Sequence, residues 1–171
     1  EDRRSVLTAV RSAGRLAKLR TGGLTPASIP MPSQVAEFIW DCARAGVPFK
    51  ATAGLHHPVR AEHALTYAPD SPRALMHGFV NVFLASVIAW AAAQAEERLR
   101  SLDPPGDMID LLDERDPAAF SLEGDAIRWR GAVITAADVA LARAGFARSF
   151  GSCSCTEPVA DLETLGWLPR Q

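Results

Sequence analysis

The chain has 171 residues, 48% hydrophobic and 22% charged, the ordinary balance of a globular domain in water. A formal net charge of −2 gives no reason to expect nucleic acid or an anionic membrane as a partner. Three cysteines, Cys42, Cys153 and Cys155, form no disulfide scaffold and point to a reducing, cytoplasmic compartment. The chain begins at Glu1 rather than Met, as expected of a piece of a longer protein, and "EDRRSVLTAVRSAGRL" lacks the apolar segment of a secretory signal.

Residues 3–13 read as a helix with Val6, Leu7 and Val10 inward, stopped at Gly14. An apolar run then leads to Gly22. From Pro32 to Ala45, Val35, Phe38, Ile39 and Cys42 fall at i, i+3, i+4 and i+7, one face of a helix. Pro32 suits its first turn and Gly46 its left-handed end. A strand follows, up to Gly54.

Residues 61–134 read as an insertion. It opens with a Pro-containing loop, "TYAPDSPRA", followed by an apolar helix, "GFVNVFLASVIAWAAAQA" (78–95), running to about Ser101. A membrane span needs about 20 strongly apolar residues. Asn81, Ser86 and the alanines favour a buried core helix, and any apolar face left bare would join a second copy or a missing part of the protein. "LDPPGD" breaks the chain, "MIDLLDE" is a short helix, and "FSLEGDAIRWRG" is a hairpin turning at Gly124–Asp125. The acidic run "DLLDERD" reads as a solvated face, and the tryptophans as packing anchors. Thr135 caps the helix "AADVALARAG", with Val139, Ala140 and Ala144 inward. A strand to Gly151 and a last helix capped by Thr156 complete the chain.

Helix, glycine, short apolar run, glycine thus occurs three times: "RSAGRLAKLRTGG", "ARAGVPFKATAGL" and "ARAGFARSFGSCS". That is the repeating element of a parallel α/β fold. A complete (β/α)8 barrel needs about 200–250 residues. The expectation is one α/β domain over 1–171, the C-terminal half of a TIM-like barrel, with 1–60 and 135–171 as barrel units. A short open α/β domain is the alternative.

Alternation puts Lys18 and Arg20 on one side of their strand, and Lys50 and Thr52 on one side of theirs. Two ammonium groups meeting in a poorly hydrated hollow would give a neutral amine, a nucleophile for carbonyl carbon. His56 and His57 follow at the strand tip. As neighbours in an extended loop they diverge, so one is the acid–base candidate, with His77 as a helper and His63 at the surface. "RTGG" and "FGSCSCTEP" expose backbone donors suited to an anion at Thr21, Gly22, Gly23, Gly151, Ser152 and Ser154. Arg20, Arg60 and Arg148 add bidentate contacts. Cys153-x-Cys155 with His56 or His77 is a bare zinc pattern without a second cysteine pair. No metal and no cofactor is assigned.

"KLRTGG" resembles the Lys-x-x-Thr-Gly motif of deoxyribose-phosphate aldolase, a class I aldolase with a TIM barrel. "KATAGL" resembles that family's second lysine motif, and "RSFGSCS" its phosphate loop. The resemblance implies Lys18 as the Schiff-base lysine, Lys50 as its activator, and Gly151, Ser152 and Ser154 at a phosphate. It covers roughly 60 residues in three patches, and "HHPVR" has no counterpart in it. The wider pattern "KxRTGG…PFKATAGLHHP…HGF" is similar to an uncharacterised bacterial family without an assigned activity. The reading is an aldolase-like enzyme acting on a small carbonyl substrate, phosphorylated or not. A non-catalytic anion-binding or interaction module and a metal-dependent barrel enzyme stay open beside it.

Overall fold

The computed structural model describes residues 2–95, 104–154 and 156–170. Helix α1 (Arg3–Ser12) starts where the Asp2 carboxylate accepts from the Arg4 N–H, and it buries Leu7. Strand β1 (Ala17–Arg20) follows, then a 3-10 turn at Pro26–Ser28, α2 (Pro32–Ala45) and β2 (Phe49–Thr52). Gly46 closes α2 at φ 62°, in the left-handed region that a side chain would oppose. A hairpin, β3 (Ala61–Ala64) and β4 (Arg73–Met76), leads to α3 (Phe79–Gln94) and α4 (Gly106–Asp113). Next come β5 (Phe120–Glu123), β6 (Ala126–Trp129) and β7 (Ala132–Thr135), then α5 (Ala136–Gly145), β8 (Ala147–Gly151) and α6 (Thr156–Thr164).

The three helix–strand units form, but they do not build a half-barrel. Their strands make one parallel sheet in the order β1-β2-β8, while β3-β4 and β5-β6-β7 are separate antiparallel sheets. Closure into a barrel needs many staggered parallel strands. Here residues 61–134 use their extended segments in hairpins, so among the described residues no further strand joins the parallel sheet. The molecule is a mixed α/β structure with small sheets.

Burial alternates along the parallel strands. Ala17, Leu19, Phe49, Ala51 and Ala147 are buried, while Lys18, Arg20, Lys50 and Ser149 are exposed. Helices therefore cover one face of this sheet, and the other face meets solvent.

The insertion is part of the core rather than an ornament on it. Val82, Leu84, Ala85, Val87 and Ala89 of α3 are buried, and α3 packs against α2, α4 and α5. Its apolar surface is used within the chain instead of standing bare. No helix among the described residues is long and apolar enough to cross a membrane. The expected continuation of α3 to Ser101 lies outside the described residues.

Three other expectations change. The "TYAPDSPRA" segment contributes the turn and second strand of the β3-β4 hairpin. Residues 132–135 add a third strand, β7, to the expected hairpin. Helix α5 buries Ala142, leaving Ala140 and Ala144 exposed, because its contacts with α3 and β8 fall on the other side. The aspartates of the acidic run lie at the surface, as expected, with Asp110 paired to Arg130 and Asp113 to Arg60.

Candidate functional site

The chain turns sharply after β2. Ala53 (φ 64°) and Gly54 (φ 76°) both take left-handed conformations. The buried Thr21 hydroxyl donates to the Ala53 carbonyl. A Cβ on Gly22 would lie 3.0 Å from the Gly54 Cα, so two bare backbones touch there. The carbonyls of His57 and Pro58 then accept from the Phe79 and Val80 N–H groups at 2.9 and 3.0 Å, capping α3. Glycine at 78 allows that approach, since a Cβ would sit 2.4 Å from the Pro58 oxygen. The two histidines thus stand on a segment held at both ends.

They diverge, as their adjacency in an extended loop requires. Their ring centroids are 6.2 Å apart. His56 Nδ1 lies 2.9 Å from Ser152 Oγ and 3.6 Å from Glu157 Oε2. His57 Nδ1 donates to Asp161 Oδ2 at 2.6 Å. Glu157 and Asp161 are i and i+4 on α6, one turn apart on a single face, which lets one helix serve both rings.

Proton counting assigns the His56 tautomer. The Ser152 hydroxyl gives its one proton to the Ser154 carbonyl at 2.7 Å. It can then only accept from His56, so the ring proton sits on Nδ1 and Nε2 keeps its lone pair. Cys153 Sγ is 3.6 Å from Nε2 and 3.7 Å from Nδ1. Near-equal separations place the sulfur beside the ring rather than in line with that lone pair. In-line transfer requires a rotation of this exposed side chain. Burial holds His56 below the ordinary imidazole range, against the opposing pull of Glu157, which keeps the ring neutral near pH 7.

A cavity of about 230 Å³ opens beside this cluster, lined by His56, His57, His63, Tyr67, Cys153 and Glu157 among others. It lies beyond the C-terminal ends of β2 and β8, where ligands of parallel α/β sheets characteristically bind. Tyr67, on the β3-β4 turn, donates its hydroxyl to Glu157 Oε2 at 3.1 Å, which raises its own pKa. His63 stacks on His57 with centroids 3.3 Å apart and planes 8° apart. Burial, with His57 beside it, pushes His63 down to about 4. His63 is therefore a half-buried wall of the cavity, not a free surface residue.

The other expected site residues lie elsewhere. Lys18 and Lys50 are register partners on adjacent strands, yet both side chains are exposed on the open sheet face. The dry hollow expected around their amines does not form among the described residues. Arg20 stands on the same face, its Nε donating to the Gly22 carbonyl. Gly23 makes room for the Ser28 side chain. Arg60 is buried and donates to Asp113 at 3.1 Å and to the Leu75 carbonyl, so its guanidinium is engaged within the fold. Arg148 donates to the Ala144 carbonyl.

Ser154 Oγ accepts from the Glu157 N–H, capping α6 in place of the expected Thr156. With Ser152 also engaged, the hydroxyls after Gly151 are used inside their own loop. His77 is wholly buried, donating Nε2–H to the Pro30 carbonyl at 2.8 Å, and burial pushes it down to about 4. It supports the fold and does not line the cavity. Among the described residues no group of three or more His, Cys, Asp or Glu side chains is placed to hold a metal ion. Cys155, the other half of the bare zinc pattern, lies outside the described residues.

The sequence singled out His56 and His57, and Cys153 beside them only in a bare zinc pattern, but not Glu157, Asp161 or Tyr67. The spacing Glu157–Asp161, opposite two adjacent histidines, was the available signal. No protein-family model, curated protein or solved structure matches the chain.

Proposed function

We propose that the cavity is the active site of a thiol-dependent acyl-transfer enzyme acting on a small ester or thioester. The contact of Cys153 Sγ with His56, whose Nδ1 is occupied by Ser152 and Glu157, carries this reading. His56 Nε2 takes the thiol proton, and the sulfur forms a bond to the carbonyl carbon as the π pair moves to oxygen. The bond to the leaving group then breaks, and His56 returns the proton to it. Water, deprotonated by His56, releases the acid and restores the thiol. The positive N-terminal end of α6, whose Glu157 lines the cavity, is placed to stabilise the oxyanion. The free thiols of Cys42 and Cys153 support a reducing, cytoplasmic location.

Acylation by 4-nitrophenyl acetate, followed by mass spectrometry, tests the proposal. The expected adduct is on Cys153, and His56→Gln slows its formation about 100-fold, the scale of a lost general base. An adduct elsewhere, or an unchanged rate, overturns it.

A second reading keeps lysine chemistry, and the register pairing Lys18↔Lys50 favours it. A Schiff base on either amine with a small aldehyde or keto acid would be fixed by borohydride. An absence of adduct across a panel of such carbonyls removes this reading without touching the first.

A further inference from the structure

The open face of the parallel sheet carries a patch that the cavity's chemistry does not use. Register places Lys18, Lys50 and Ser149 in one row, and Arg20, Thr52 and Gly151 in the next. Strands lie about 4.8 Å apart and alternate residues about 6.6 Å apart, so three cations share a very small area. Like charges directly opposite each other destabilise a sheet. No carboxylate among the described residues pairs with any of the three. Parallel sheets are, moreover, almost always covered on both faces, and this one is covered on one.

We propose that this face docks an acidic stretch of a partner polypeptide, whose carboxylates sit over Lys18, Arg20 and Lys50. Charge complementarity selects the occupant. A second copy presenting the same face would set cation against cation. A nucleic acid is held by many Lys and Arg side chains along its phosphates, whereas this face offers three cations in one small patch. Small ligands prefer concave sites, and the cavity at the strand ends is lined by none of these three residues. On the β8 side, Ser149 and Gly151 are small and let a partner backbone come close. Leu16, just before β1, and Leu24, just after it, are 53% and 72% exposed and offer apolar contact at the margins.

Fluorescence anisotropy of a labelled hexaglutamate peptide at low salt tests the proposal on the whole chain. Binding is expected to weaken roughly tenfold or more in K18E/K50E, as for a lost complementary charge pair. It should persist in K18R/K50R, which keeps the charge but removes any Schiff-base amine. Circular dichroism and Tm confirm that both variants fold. Equal binding by wild type and K18E/K50E overturns the proposal. So does tighter binding of an oligothymidylate or of anionic vesicles than of the peptide. Self-association that K18E/K50E abolishes would assign the face to a second copy and also overturn it. None of these outcomes bears on acylation of Cys153.

Discussion

Two histidine-bearing polar clusters flank the segment from His56 to Arg60, and they differ in what they leave unused. On the inner side, Arg60, His77, Asn81 and Asp113 are joined to one another and to backbone. The Asn81 side chain alone accepts from the Arg60 N–H and donates to the Leu111 and Glu114 carbonyls. His77 has its two nitrogens on Pro30 and Arg60. On the outer side, the exposed Cys153 thiol lies beside the His56 ring at the cavity, and among the described residues no N–H or O–H donates to the Nε2 lone pair. A cluster whose donors and acceptors are paired holds a fold together, whereas one that keeps a nucleophile and a base unspent beside a cavity can do chemistry.

The largest effect should come from the inner cluster. Asn81→Ala strips the Arg60 N–H and the Glu114 carbonyl of this partner and leaves the Leu111 carbonyl only the Glu114 N–H. It is expected to cost about 4 kcal/mol, several times the net worth of one hydrogen bond, read from urea denaturation. A loss under about 1 kcal/mol would break the comparison, because it would show the inner cluster to be dispensable. Next is the pH dependence of His77. In the unfolded chain this ring protonates as pH falls through about 6.5, while in the folded chain it stays neutral down to about 4. The unfolded state therefore binds more protons between these values. Stability present above about pH 6.5 is lost as pH falls towards 4, by about 3 kcal/mol from this residue. His77→Gln, which can still donate to Pro30, should flatten that limb. Subtracting the two stability–pH curves isolates the residue from the carboxylates that titrate in the same range.

The outer cluster should respond oppositely. His56→Gln is expected to change stability by less than about 1 kcal/mol, because the Gln amide can still donate to Ser152 and the net worth of one hydrogen bond is of that size. It should nonetheless slow alkylation of Cys153 by iodoacetamide about tenfold, because the thiol loses the base that takes its proton. A large loss of stability with unchanged thiol reactivity would reverse the roles of the two clusters.

Local elements were legible because their signals are local. The α2 face of Val35, Ile39 and Cys42, the left-handed Gly46 and the turn at Gly124–Asp125 follow from a handful of adjacent residues. Parallel pairing of β1 with β2, Lys18 opposite Lys50, also followed from the repeated unit. Closure did not, since it depends on strands far apart in sequence, and "AEHA" and "RALM" pair with each other rather than with the parallel sheet. Glycines carry an ambiguous signal for a physical reason. Gly22, Gly54 and Gly78 satisfy backbone contacts, and close packing of two loops leaves the same trace in a sequence as an anion cradle. Half of the candidate site was visible in the adjacent histidines. The other half was hidden because Cys153, Glu157 and Asp161 meet them only through the pairing of β8 with β2, about 100 residues along the chain.

Asp161 gives the finest test of the comparison. Its carboxylate accepts from His57 at 2.6 Å, as close a pairing as any in the inner cluster, yet its side chain is 37% exposed. If geometry alone decided the worth of a polar contact, Asp161→Asn would rival Asn81→Ala. Solvent decides otherwise, because water replaces the lost partner on both sides and screens the charge. Asp161→Asn is therefore expected to cost under about 1 kcal/mol by denaturation, within the range for exposed pairs. Asn can still accept from His57, so the ring and its stacked neighbour His63 should keep their places, which their imidazole NMR shifts would report. A cost near about 3 kcal/mol would mean that the His57–Asp161 contact is a buried structural clasp, as costly to break as a buried ion pair. The outer cluster would then lose its distinction from the inner one, and the cavity wall its freedom to admit a substrate.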